Sequence, residues 1–239
     1  MIGVVRNEAL AGKIIQGSWL HNPKLKDIGY AVIRKHNFTC SICGTQSRSS
    51  KKYPDGMMIP VCLEHSGLAA ITLEKSTCLC PLCASSLATN WSVAGTVLKG
   101  EPVPAPGFLV YLPFKSQKEV IRLAVYALVC LQKPNDHPLF SVATDIDIVM
   151  AGLADEVSKK IPIYDGTNVD FVKALALLPD EYYNQRSQII GALRWWPNMS
   201  YWAEFGRYIS AATFDEFEKD FGLDKKTSAL MRNNHEDSE

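Results

Sequence analysis

Phe38-Thr39-Cys40-Ser41-Ile42-Cys43-Gly44, followed 36 residues later by Cys80-Pro81-Leu82-Cys83, decides how this chain is read. Each cysteine pair has a two-residue spacer. That spacer bends the backbone so that two thiolates, each about 2.3 Å from the ion, reach one tetrahedral metal. Gly44 suits the turn, which wants a residue free to take positive φ. Cys40, Cys43, Cys80 and Cys83 are therefore the candidate ligands of a single zinc ion. With all four positions filled by protein, none is left for water or substrate, so the expected site is structural. The residues between the pairs are enough for a β-hairpin.

The chain has seven cysteines, and six fall between residues 40 and 83. Buried free cysteines would pack as small hydrophobes, which is the plainer alternative to a metal site. A redox dithiol would want one C-x-x-C beside a βαβ pattern, and none is present. Cys62-Leu63-Glu64-His65 adds a C-x-x-H, and Cys78 brings the possible ligands to seven. A two-zinc cross-brace would need an eighth, and only His36 could supply it, from a stretch that reads as helix. The simpler expectation places Cys62 in a strand over Met57–Leu63 facing the core, with His65 in the following turn.

The 239 residues carry 25 basic and 25 acidic side chains and are 47% hydrophobic, which excludes wholesale disorder. Residues 1–60 hold nine basic and three acidic side chains, whereas residues 141–239 hold ten and seventeen. The neutral total thus joins a basic head to an acidic tail half, and it argues against a dedicated nucleic-acid binder. The start, Met1 to Glu8, places both charge signs where a signal peptide needs its apolar stretch. The longest apolar run, Leu123–Leu131, is nine residues, too short to cross a bilayer. The expected location is the cytoplasm, where reducing conditions disfavour disulfides.

Outward from the knuckles, Asn22-Pro23 reads as the cap and first turn of a helix reaching about Lys35. Residues 45–56 read as a polar loop, and 84–89 as the start of a helix. The glycines and prolines of 95–107 read as an extended connector to the strand Phe108–Leu112. Ser116-Gln117-Lys118-Glu119 is a capping box launching a helix to about Gln132. Further helices are expected at 144–159, 169–177, 180–194 and 200–210. A second capping box, Thr213–Glu216, starts a short helix lined by Phe214, Phe217 and Phe221. The sequence divides into an α+β region (1–112), a helical region (113–222) and a polar tail (223–239) expected to be disordered.

A helix, a knuckle, a hairpin and a second C-x-x-C is also the layout of zinc-braced HNH nucleases. Arg34, Lys35, Arg48, Lys51 and Lys52 would suit phosphates. The chemistry, however, needs a histidine base and further ligands for a divalent metal. Of the five histidines only His65 lies between the knuckles, and Ala84 stands where these enzymes carry a metal-binding histidine. A base without its metal ligand gives no route to phosphodiester hydrolysis. Cys130, between Val129 and Leu131, reads as core rather than nucleophile. No phosphate-cradling glycine loop, G-x-S-x-G or H-E-x-x-H occurs. The alternatives to a non-enzymatic protein are a nucleic-acid-binding zinc protein or a residual HNH-type nuclease acting through His65.

The chain resembles the IcmJ/DotN family of the type IVB (Dot/Icm) secretion system and its conjugative relatives. Gly17-Ser18-Trp19, the two knuckles with their flanks, Phe108-Leu109-Val110-Tyr111-Leu112-Pro113 and the helix from Gln117 to Cys130 carry the resemblance. It covers roughly the first 130 residues. The resemblance implies an HNH-like (treble-clef type) fold around one structural zinc, without nuclease residues. It also implies a cytosolic subunit of the coupling complex, peripheral to the inner membrane. Its partners would be the C-terminal region of the type IV coupling ATPase and adaptor proteins. The family's zinc ligands carry over to Cys40, Cys43, Cys80 and Cys83. Trp195-Trp196 and the acidic C-terminus have no place on the family pattern. Trp195, Trp196, Tyr201 and Trp202 fit two roles equally, partner anchors or filling of a helical core.

Overall fold

The computed structural model describes Gly3 and residues 19–62, 72–98, 100–160, 168–185 and 191–210. Helix α1 is Lys26–Lys35. The expected start at Asn22 is corrected: Asn22 and Pro23 form a turn ahead of the helix. The Asn22 side chain accepts from the Lys24 N–H (3.0 Å), and its carbonyl accepts from Leu25 and Lys26 (both 2.9 Å). Gly29, Val32 and Ile33 form the buried face of α1, which lies on a hairpin of β1 (Ile59–Cys62) and β2 (Ser76–Leu79). The register runs from Ile59 opposite Leu79 to Cys62 opposite Ser76. Pro60, which has no N–H to give, sits opposite Cys78.

Helix α2 (Pro81–Leu87) follows β2 directly, and the short α3 (Thr89–Ser92) follows α2. The sequence places this helix start at Ala84; it lies three residues earlier because Pro81 takes the first helical position and Cys80 caps it. The stretch read as an extended connector contains a second hairpin, β3 (Thr96–Leu98) with β4 (Glu101–Val103). Gly100, at φ +86°, lies in its turn.

Strand β5 (Gly107–Tyr111) pairs antiparallel with β6 (Leu193–Pro197), from Gly107 opposite Pro197 to Tyr111 opposite Leu193. Of the helix expected over 180–194, Asp180–Asn184 is helical (α7), but its end is corrected, because Leu193 and Arg194 open strand β6. Helix α7 ends at Asn184, and Leu-Arg-Trp-Trp-Pro prefers the pleated sheet, where its aromatics pack well. Between these strands lie α4 (Gln117–Cys130), α5 (Pro138–Lys160), α6 (Asn168–Leu177) and α7 (Asp180–Asn184). The capping box of α4 is present: the Glu119 N–H donates to Ser116 Oγ (3.2 Å), and the Ser116 N–H donates to Glu119 Oε2 (2.8 Å). Cys130 is the last residue of α4 and is buried. Helix α5 starts six residues earlier than expected, where the Leu139 N–H donates to His137 Nδ1 (3.2 Å).

The last helix among the described residues, α8 (residues 203–210), starts later than expected. The Asn198 side chain accepts the N–H groups of Ser200 (3.1 Å) and Tyr201 (3.3 Å), which holds the turn before it. Gly17, Ser18, His65, the second capping box with its phenylalanines, and the tail lie outside the described residues.

One apolar core gathers side chains from both sides of residue 112, from Val32 and Leu82 to Val125, Trp195 and Ile209. Trp195 and Trp196 are fully buried, so of their two candidate roles, core filling is the one the structure matches. Their indole N–H groups have acceptors, as buried tryptophans need. Trp196 donates to Asp147 Oδ1 (2.8 Å) and Trp202 to the Pro106 carbonyl (2.7 Å). Among the described residues, no helix is long and apolar enough to cross a membrane.

Candidate metal centre

Two local structures bring the four cysteines together. In the first, the chain reverses over Cys40–Thr45. The Gly44 N–H donates to the Cys40 carbonyl and the Cys40 N–H to the Thr45 carbonyl, both at 2.9 Å. Gly44 takes φ +81°, so the glycine is required there. A bridge between Thr39 and Gln46 closes this turn, and the Ser41 N–H donates to the Cys78 carbonyl (2.9 Å), fixing it to β2. In the second, Cys80 is the N-cap of α2: its sulfur accepts from the Cys83 N–H (3.4 Å), which turns both sulfurs to one side.

The sulfurs of Cys40, Cys43, Cys80 and Cys83 all lie within 4.8 Å of one another, and all four residues are buried. Sγ of Cys43 and Sγ of Cys80 are 3.6 Å apart. A tetrahedron with bonds of about 2.3 Å has edges of about 3.8 Å, so the quartet fits a four-coordinate ion. Four sulfur donors select a thiophilic metal and leave no position open. Thr45 Oγ1 lies 3.1 Å from Cys43 Sγ, where its hydroxyl would orient a ligating thiolate.

Burial and mutual contact split the proton affinities of the quartet. Hydrogen bonds with Cys43, then Cys80 and Cys83, hold Cys40 well below the ordinary thiol value. Cys43 is pushed up by Cys40 but pulled down further by Cys80 and Cys83, and ends low. Burial raises Cys80, and contact with Cys40 and then Cys43 raises Cys83. Four packed thiols cannot all ionise by themselves. A bound dication stabilises the thiolates and takes the place of their protons.

The other candidate ligands among the described residues separate from this group. Cys62 is buried in a satellite cluster with Trp19, Leu25 and Ile28, as the simpler sequence reading has it. Burial and the neighbouring Cys40 push the Cys78 thiol up to about 12, which keeps it neutral. Neither joins the quartet, and nor does His36, which caps the end of α1. Sequence reasoning missed the N-cap role of Cys80, although Pro81 directly after it is the signal that marks a helix start.

Ala84 follows the quartet on α2 and is fully buried. The basic cluster is partly committed: Lys52 Nζ forms an ion pair with Glu204 Oε1 at 2.8 Å. No protein-family model matches the chain, and no curated protein matches it.

Proposed function

We propose that the chain is a non-enzymatic structural subunit of a type IV secretion coupling complex. Its N-terminal part is read as an HNH-like, treble-clef type head braced by one structural zinc on Cys40, Cys43, Cys80 and Cys83. The head and the helical part would together bind the C-terminal region of the type IV coupling ATPase, beside adaptor proteins, in the cytoplasm and peripheral to the inner membrane. The family assignment draws on the sequence resemblance. The observation that carries a structural role for the metal is the closed site: four buried thiols converge and fill the coordination of a tetrahedral ion.

The order knuckle, hairpin, helix supports the HNH-like reading of the head. Buried Ala84 supports the loss of nuclease chemistry, because a methyl group offers no lone pair to a second metal. Lys52, engaged by Glu204, is a weaker phosphate contact than the sequence alone suggests. With Trp195 and Trp196 in the core, the partner surface has to come from other residues; Tyr201, 38% exposed, remains available.

Size-exclusion chromatography of the full chain with the C-terminal region of the coupling ATPase tests the binding. Co-elution is expected, and separate elution at micromolar concentrations would end the proposal. Plasmid nicking with Mg²⁺ or Ni²⁺, with a His65→Ala control, tests the nuclease alternative. Nicking that depends on His65 would revive it.

A further inference from the structure

We infer that Glu204, Tyr53 and Lys52 form a strap that positions the first cysteine pair from outside the metal site. This rests on the reading of the quartet as a zinc centre and adds residues that touch no ligand.

The return limb of the first knuckle, Thr45–Ser47, runs straight into the loop that carries Lys52 and Tyr53. That loop is internally braced. The Ser47 N–H donates to the Phe38 carbonyl (2.9 Å), and Ser47 Oγ donates to the Gly56 carbonyl (2.6 Å). The Tyr53 N–H donates to Ser50 Oγ (3.0 Å), and the Gly56 N–H donates to the Tyr53 carbonyl (2.9 Å). A displacement at Tyr53 is therefore passed to Ser47 and Thr45, and from there to Cys43 and Cys40.

The far end of the strap is α8, 151 residues further along the chain from Tyr53. Phe205 and Ile209 bury α8 in the main core, so it is a fixed post. On its outer side the Glu204 carboxylate accepts from the Tyr53 hydroxyl and from Lys52 Nζ. The Tyr208 hydroxyl donates to the Arg48 carbonyl, and the Tyr53 and Tyr208 rings meet edge to face at 5.0 Å. Side-chain exposures of 73% and 55% for Lys52 and Glu204 make their ion pair weak by itself. The phenol contact and the ring pair give the strap its direction.

Nothing in the quartet requires these contacts for the ion to bind. Their effect belongs on how long the knuckle stays closed, that is, on the rate of metal loss. Zinc-loaded full-length protein is mixed with excess chromophoric chelator, and transfer of zinc is followed with time. Glu204→Gln and Tyr53→Phe should each release zinc about three to ten times faster, the scale of an exposed hydrogen-bonded charge contact. The double variant should be no faster than the quicker single one, because both remove one shared contact. The melting midpoint reported by the buried tryptophans should stay at the wild-type value.

Equal release rates in wild type and both variants overturn the strap. So do variants whose faster release tracks a lowered midpoint, which would make Glu204 a general stabiliser. Absence of zinc from the purified wild-type protein overturns the metal reading itself, and it is seen before any variant is compared.

Discussion

Gln117 and Trp195 exchange two hydrogen bonds across 78 residues of sequence. Gln117 Nε2 donates to the Trp195 carbonyl and the Trp195 N–H donates to Gln117 Oε1, both at 2.8 Å. The side-chain amide thus acts as one residue of a missing third strand. It satisfies the backbone of β6 on the edge that β5 does not cover. Gln117 is buried, so water cannot replace it. Gln117→Leu should leave a buried donor and acceptor unmet and cost about 2–5 kcal/mol. A urea midpoint that hardly moves would show that the edge finds other partners.

Gly107 lies opposite Pro197, with the Trp195 ring and the Trp196 carbonyl oxygen packed against its Cα. A β-carbon there would overlap both. Gly107→Ala is expected to destabilise the protein by about 3 kcal/mol, an overpacking cost. Thermal unfolding of the variant checks this, and an unchanged midpoint would mean that the tryptophans shift freely.

Cys40→Ser or Cys80→Ser removes one of four thiolates from a site with no fifth ligand among the described residues. Each should lower the metal content well below one ion per chain and loosen the head, because closed-site metal binding is coupled to folding. Elemental analysis with a thermal melt reads both effects. Cys62→Ser should leave the metal content unchanged, since Cys62 packs with Trp19 and Leu25 instead.

The capping-box carboxylate of Glu119 contributes to the acid side of the stability profile. The Ser116 backbone N–H, and then its hydroxyl, holds Glu119 below the usual carboxylate range. A carboxyl with a depressed folded pKa stabilises the protein above its unfolded value, about 4.3, and that contribution is lost as pH falls through the folded value. Glu119→Gln should therefore lower stability near neutrality and flatten its decline below about pH 5. Parallel curves for variant and wild type from pH 7 to pH 3 would refute the assignment.

The metal quartet was legible in the sequence because its geometry is local: two C-x-x-C turns, each with its own hydrogen bonds, need little from the rest of the chain. The capping box at Ser116 and helix α6 were legible for the same reason. Strand β6 was not. Trp195 and Trp196 are adjacent, so along either a helix or a strand they must point apart. Only a body that buries both faces, with β5 alongside and Asp147 ready for one indole, resolves the choice. The start of α1 was misplaced because Asn22 caps a preceding turn as readily as a helix, through its side chain and carbonyl together. Tyr53 and Glu204 carry no motif, and their meeting, 151 residues apart in sequence, exists only after the loop and α8 have both folded.

The distance in sequence between β5 and β6 also sets a timetable for synthesis. Cys83, the last cysteine of the quartet, leaves the ribosome early, and the knuckle, α1 and the β1–β2 hairpin all precede it. Strand β5 follows soon after but waits some 80 residues for β6, about 4–16 s at ordinary elongation rates. During that interval its unpaired edge and the apolar face of α4 are open to chaperones or to mispairing. Chains arrested before residue 193 should therefore be held by chaperones with their metal site already closed. The head and the sheet are neighbours in space, but they are born at different times.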